Sequence, residues 1–463
     1  MKITDPVFQS LATWGDHPAY IEVLPDNSAV YTSAEKLLER INDTGTFLRE
    51  SGIQSNHLVA FFLRNSVDFV SVFLSLMDMG AKPVPVNLAY RKLELDEIFS
   101  NSDPHAVIAE QEFLPLIEPY LKNKIVVLRS NGKFTLHQAP ENRPAPADID
   151  DNIASINYTY RGYGYPLGAM VPHEQYRMGA EGLANGLYPV PGERMLVVLP
   201  LYYIFPLVVC VFVPLLYKLT SVLSHTVNPL KLFEYIREYK INLITAVPEI
   251  YELLYSCRDD FVDMSSLRVL GSGGSRLTKE SYQKIKQAFG VEMMHGYGLT
   301  EFTPVSRNLI DQVKAGTIGP FCDGIEYKIA SAEKGGSGEI LIKTPDMAKS
   351  YYKRNKETQD TFQDDWFKTG DIGRMEDGHL IFLKEKKHTR KLKGNMIDLQ
   401  EVKNAILMYP GIKDAVIGFK DNTLSAGIVI NTDNDMKEEY TRIKQFLSEM
   451  IASYKIPKLM NRI

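Results

Sequence analysis

Cysteine is scarce in this chain of 463 residues: Cys210, Cys257 and Cys322 stand far apart, with no metal-ligand spacing. That excludes a disulfide framework or a zinc ribbon and reads as buried or free thiols of a reducing, cytoplasmic compartment. The formal net charge of −5 gives no case for binding nucleic acid or a membrane surface. The opening residues, Met-Lys-Ile-Thr-Asp-Pro, lack the basic-then-apolar layout of a secretory leader. Internal repeats, low-complexity tracts and Ser-His-Asp, Cys-His or zinc constellations are all missing. One stretch, Met195 to Tyr217, is uncharged and long enough to span a bilayer. Pro200, Pro206 and Pro214 interrupt it, so it reads as a core strand at Val197-Val198-Leu199, a pocket loop and a core helix.

What is present describes an ordinary globular protein, 44% hydrophobic and 24% charged, too long for one core. The first third alternates helical and strand patterns. Ala34 to Ser51 carries apolar residues at helical spacing, and Val67 to Met79 reads as an amphipathic helix ending at Gly80. Leu58 to Leu63, Pro83 to Val86, Ala106 to Ala109 and Ile125 to Leu128 read as buried strands. Strands separated by helices imply parallel sheets with both faces covered. Pro140 to Asp151 reads as a surface loop. Leu267 to Leu270 and Val291 to His295 are further strands, the first followed by a helix from Thr278. After Gly316, Gly-rich turns and alternating strands predict a small β-rich layer. The cationic run Lys384 to Lys393 marks a hinge, and the remaining residues read as helix, strand, strand, helix, a compact α+β unit. The fold class expected is therefore α/β with a small α+β unit, divided into residues 1–384 and 385–463.

Residues Thr159 to Gly168 read Thr-Tyr-Arg-Gly-Tyr-Gly-Tyr-Pro-Leu-Gly, the glycine frame of a phosphate-cradling loop. Further on stand Leu199-Pro200-Leu201-Tyr202-Tyr203, Ala246-Val247-Pro248, Ser272-Gly273-Gly274, Tyr297-Gly298-Leu299-Thr300-Glu301 and Thr369-Gly370-Asp371. In order and spacing these resemble the motifs of the adenylate-forming superfamily: acyl-CoA and aryl-CoA ligases, peptide-synthetase adenylation domains and luciferases. The resemblance covers nearly the whole chain. It implies a large N-terminal body of parallel and mixed sheets with a mobile C-terminal domain. It also implies a reaction in which a carboxylate attacks the α-phosphate of ATP and a thiol then takes the acyl group. By the same resemblance Ser272, Gly273 and Gly274 pack against a flat ring, Tyr297 stacks on adenine and Asp371 accepts from the ribose hydroxyls. Thr300 and Glu301 are the family-matching catalytic pair, with Glu301 the magnesium ligand if ATP is used. Tyr202, Tyr203, Phe205, Gly296 and Phe302 border an aromatic acyl or aryl pocket.

The phosphate loop departs from the family's Thr-Ser-Gly-Ser/Thr-Thr-Gly-x-Pro-Lys-Gly. Tyr160, Arg161, Gly162 and Tyr163 replace hydroxyls and a glycine, Gly164 is kept, and Leu167 replaces the lysine before Gly168. Tyr160, Tyr163 and Tyr165 are expected to fill the space that pyrophosphate needs. The family's hinge Gly-Arg aligns with Lys384-Glu385 and its aspartate with His388. The segment carrying the adenylation lysine is expected after Tyr454-Lys455-Ile456-Pro457 and has no match. Losing one preorganised donor costs roughly 3–4 kcal/mol of barrier, so adenylation is expected to be weak or absent. Arg161, Lys391, Lys393, Lys455, Lys458 and Arg462 are candidate replacement cations or solvated surface charges.

The reading is an acyl/aryl-CoA ligase-like protein of secondary metabolism, acting in thioester transfer or as an accessory factor. CoA or phosphopantetheine is the expected cofactor and an AMP or adenosine moiety a further ligand, while ATP and Mg are doubtful. The expected partners are a small acyl or aryl acid or thioester and an acyl carrier protein. Two alternatives stay open: an AMP-forming ligase using substitute cations, and a non-catalytic scaffold that binds carrier protein.

Overall fold

The computed structural model describes residues 1–141, 145–257, 263–330, 336–385, 389–392, 394–421, 423–430 and 435–462. His388 and Lys393 lie outside the described residues.

Two sheets form the body. The five-stranded sheet runs Lys82–Pro85, Leu58–Phe62, Ala106–Glu110, Ile125–Ser130, Lys133–Gln138, parallel except for its last pair. Leu58–Phe62 and Ala106–Glu110 are buried at every position, as parallel strands covered on both faces require. The eight-stranded sheet is ordered Ser306–Arg307, Glu292–Tyr297, Val269–Ser272, Leu243–Ala246, Arg194–Val197, Thr220–Leu223, Pro18–Val23, Ala29–Ser33. The largest core cluster lies between the sheets, drawing Val59, Phe61 and Ile108 from one and Val197, Leu243 and Met294 from the other.

Three local readings change. Helix Val67–Asp78 is not amphipathic: it is buried from Val67 to Met77 because it runs through that core. Its polar members are satisfied internally, Ser71 donating to the Val67 carbonyl and Ser75 to the Ile41 carbonyl. The strands expected to stop at Leu270 and His295 run on through Ser272 and Tyr297, because pairing continues at Ser272 with His295 and at Gly296 with Arg307. The uncharged stretch gives strand Arg194–Val197, then a buried helical run from Ile204 to Tyr217 whose middle turn, Leu207–Phe212, is a π-helix. Pro206 sits in the first turn of the run, where a missing N–H costs little, and Pro214 follows directly on the π-helical turn. Among the described residues no helix is long and apolar enough to cross a membrane.

The β-rich layer is an antiparallel sheet of Glu326–Ala330, Gly338–Lys343, Trp366–Glu376, Phe362–Gln363 and His379–Glu385. The C-terminal elements are the hairpin Thr389–Leu392 and Asn395–Asp398, helix Leu399–Leu407, a sheet of Ile412–Lys420, Thr423–Ile430 and Leu459–Arg462, and helix Met436–Met450. Their core, from Ile397 to Ile451, is built mainly from their own side chains. This is α/β architecture with a small α+β unit.

Candidate active site

The phosphate-type loop is the turn of a hairpin. Strands Ile153–Tyr160 and Pro166–Pro172 pair with Thr159 opposite Leu167 and Tyr160 opposite Pro166. Gly162 and Gly164 take φ of +82° and +84°, the left-handed region glycine alone enters without strain. A Cβ on Gly168 would lie 2.8 Å from Ile156, so its backbone closes on the facing strand. Leu167 is wholly buried in the main core. Two of the loop tyrosines bond to carboxylates of other elements. Tyr160 donates to Glu401 at 2.6 Å and Tyr165 to Glu357 at 2.5 Å, while Tyr163 is only partly buried against the core. The hydroxyls of Tyr160 and Tyr165 are thus claimed by neighbouring carboxylates.

Arg161 of the same turn is buried. It is no surface charge: its side chain is 4% exposed, beside a Glu301 side chain at 1%. Nη1 donates to the Thr369 carbonyl at 2.8 Å, Nη2 donates to the Lys368 carbonyl at 2.5 Å, and the guanidinium lies 4.8 Å from the Phe367 ring centre. Nε stands 3.6 Å from Glu301 Oε1, and Tyr351 donates its hydroxyl to the same carboxylate. Arg161 Nε and Glu301 Oε2 make no hydrogen bond. Gln175 fixes this corner by donating to the Thr300 carbonyl at 2.9 Å and accepting from the Ala348 amide at 3.1 Å. Among the described residues no three His, Cys, Asp or Glu side chains converge as a metal cluster.

The nucleoside-type pair is bonded to itself, Tyr297 donating to Asp371 Oδ2 at 2.6 Å. Burial pushes the Asp371 carboxyl up to about 6, against the Tyr297 hydrogen bond and the charges of Lys391 and Arg161. Glu385, opposite Asp371 across the strand pair, pushes the same way as burial.

The aromatic pocket residues are partly gathered. A Cβ on Gly273 would lie 3.1 Å from Phe205, so that glycine receives the protein's own ring, and Gly274 turns at φ +80° beside Val247. The buried Ser272 hydroxyl has no partner. Tyr202 and Tyr203 stack edge-on at 4.8 Å, and Tyr203 accepts from Asn87 and donates to Asn395, both at 2.9 Å. Phe302 belongs to the core beneath the β-rich layer with Val305 and Met347, and Gly296 backs onto Ser306 of the edge strand.

The C-terminal elements cover the turn. Gly164 donates its amide to Asp398 at 3.1 Å, and a Cβ there would meet Asn404 and Gln400 at 3.0 and 3.1 Å. Gly394 comes within 3.0 Å of Val247 by the same measure. Lys455 is not at the turn's centre: it is wholly buried between Glu94, Glu401 and Tyr160. Lys458 and Arg462 are exposed. Sequence reasoning missed Tyr351, Phe367, Gln175, Glu94 and Glu401, which carry no motif and meet the loop only through the fold.

This site and fold define an adenylate-forming enzyme class. The profile of AMP-binding enzymes matches residues 7–352, and the chain belongs to that family. It is 27% identical to a long-chain fatty acid–CoA ligase of Mycobacterium tuberculosis, over 95% of this chain and 90% of that protein. It is 26% identical to a 4-coumarate–CoA ligase of Narcissus pseudonarcissus, over 97% and 87%. Among solved structures, o-succinylbenzoate CoA synthetase from Bacillus subtilis superposes with a TM-score of 0.84 at 22% identity, covering 99% of this chain and 94% of that one. These relatives and neighbours are acyl- and aryl-CoA ligases by name.

Proposed function

We propose that this chain is an acyl/aryl-CoA ligase-like protein whose ATP-dependent activation step is weak or lost, and that it works on the acyl thioester itself. The Arg161–Glu301 pair carries the reading. A carboxylate that serves magnesium must offer its charge to the ion, and here a guanidinium 3.6 Å away already matches that charge. Like charges about 4 Å apart repel by roughly 4 kcal/mol at an effective dielectric near 20, and a divalent ion doubles this. With Arg161 in place the charge of Glu301 is already partly offset, which weakens the hold that its unpartnered Oε2 could have on magnesium. Each Nη of Arg161 already donates to a backbone carbonyl, which fixes the guanidinium in place; the second reading, a working ligase with Arg161 as its phosphate-binding cation, would use Nε, which makes no hydrogen bond.

Thioester exchange needs no pyrophosphate seat. The thiol of CoA, or of a carrier protein's phosphopantetheine, attacks the thioester carbonyl. A new C–S bond forms as the old one breaks, and the departing thiolate takes the proton the incoming thiol gave up. Residues 1–384 would hold the acyl group and any adenosine moiety, through Ser272, Gly273, Gly274, Tyr297 and Asp371. Residues 385–463 would close over them, in a cytoplasmic protein of secondary metabolism. ATP–pyrophosphate exchange across a panel of aryl and acyl acids tests the first half, and robust exchange would establish the ligase instead. Acyl-CoA mixed with holo carrier protein and this chain, without ATP, tests the second. Transfer supports the proposal, whereas carrier binding without transfer points to a scaffold.

A further inference from the structure

We propose that Glu94, Tyr160, Glu401 and Lys455 form a latch that locks the C-terminal elements onto the phosphate-type loop and closes with uptake of one proton. Glu94 opens helix Lys92–Ser102, Tyr160 ends the strand leading into the turn, Glu401 lies in helix Leu399–Leu407 and Lys455 follows the last helix. Lys455 Nζ donates to Glu94 at 3.0 Å, to Glu401 at 2.6 Å and to the Tyr160 hydroxyl at 2.7 Å. Tyr160 in turn donates to the other oxygen of Glu401 at 2.6 Å, and the Ala452 amide donates to Glu94 at 2.8 Å. Glu94 is shared with its own helix start through the Arg91 amide at 2.9 Å.

All three hydrogens of the ammonium are thus spent on groups whose side chains are sealed from water. Two carboxylates share one cation. Fully ionised, the cluster buries one uncompensated negative charge, and a dry site removes such a charge by taking up a proton. The other groups facing it are no remedy. Tyr90, Tyr203 and Tyr454 are neutral phenols, and Asp398, which caps the helix of Glu401, is a further acid. Burial, with Glu94 adding to it and Lys455 offsetting it, pushes the Glu401 carboxyl up to about 7. Because the C-terminal core is built mainly from its own side chains, it can hold together when this polar contact opens.

The sign follows from linkage. Between the ordinary glutamate range, near 4.3, and about 7, the closed form holds a proton that the open form does not. Closure is therefore favoured at the acid end of that window and weakens by up to about tenfold per pH unit as pH rises through it. Above it the dependence levels off. Amide hydrogen exchange on the full chain, corrected for intrinsic rates, reads this at the segments containing Ala452 and Gly164. Protection there is expected to fall by about tenfold or more from pH 5.5 to 7, to level above 7.5, and to leave strand Leu58–Phe62 unaffected. In Glu401→Gln it should be level throughout. A flat wild-type profile, an equal slope in the core strand, or an unchanged slope in the variant would each overturn the latch. If Glu401→Gln does not fold, the wild-type profile and that of Glu94→Gln decide by the same criteria.

Discussion

The guanidinium of Arg161 stands 3.6 Å from the carboxylate of Glu301, and the two side chains are 4% and 1% exposed. Breaking a buried pair from one side leaves the other charge uncompensated, which typically costs about 3–5 kcal/mol. Arg161→Met and Glu301→Gln are each expected to lower the urea-unfolding free energy by about that much. The double variant should lose less than the sum, with a coupling of about 1 kcal/mol or more. Additive losses would show that the two do not interact. Arg161→Met should also gain affinity for magnesium by calorimetry, because it frees the Glu301 carboxylate while keeping the loop.

Asp371 gives a pH prediction of definite sign. Its carboxyl is pushed from 3.8 to about 6 in the fold, so the folded state binds a proton more tightly than the unfolded chain. Its contribution is most favourable below about 4, declines as pH rises toward 6 and stays low above that. Asn at this position still accepts the Tyr297 hydroxyl without carrying charge. Asp371→Asn is thus expected to be about 1–3 kcal/mol more stable than the parent at pH 7.5 and to show no gain at pH 4. Urea midpoints at four pH values between these limits would check it, and a variant curve parallel to the parent's would rule it out.

Much of the fold was legible because local rules and tertiary context agreed. Helix Ala34–Glu50 follows from helical spacing, and Leu58–Phe62 from a short apolar run. The site was legible only as a set of motifs. What Arg161 does depends on Phe367, Lys368, Thr369 and Tyr351, which are far away in the chain and belong to no pattern centred on residue 161. Lys455 looked like a candidate phosphate ligand because a lysine's charge is visible in sequence, whereas its three acceptors are not. The partners of two loop tyrosines were hidden for the same reason: bulk can be counted, but the carboxylates that hold Tyr165 and Tyr160 come from Glu357 and Glu401.

Phe205 and Gly273 make a size test of the aromatic pocket. The Cβ of Gly273→Ala would lie 3.1 Å from the tip of the Phe205 ring, closer than most real contacts. In the parent this substitution is expected to cost about 1–3 kcal/mol as overpacking. In a Phe205→Ala background the ring is gone and the cost should vanish. Fluorescence titration with aryl-CoA thioesters gives the functional counterpart: Phe205→Ala should bind bulkier acyl groups than the parent, relative to small ones. A Gly273→Ala cost unchanged by Phe205→Ala would separate the two positions.

Gly164 ties the turn to the helix above it, and a pair of alanine substitutions can separate backbone strain from contact. Gly132 and Gly164 both sit in the left-handed region, at φ of +74° and +84°. A Cβ on Gly132 meets nothing within 4 Å, whereas one on Gly164 meets Asn404 at 3.0 Å and Gln400 at 3.1 Å. Each alanine carries the left-handed penalty of about 1–2 kcal/mol. Only Gly164→Ala must also displace the Asn404 and Gln400 side chains of helix Leu399–Leu407 by a few tenths of an ångström, beside the bond from its own amide to Asp398. Its excess over Gly132→Ala in urea unfolding is expected to be about 1 kcal/mol, with hydrogen exchange rising in the 395–408 segment and not around residue 132. Equal losses would mean that the C-terminal helix does not bear on the turn, and that the cover over Arg161 is held in place from elsewhere.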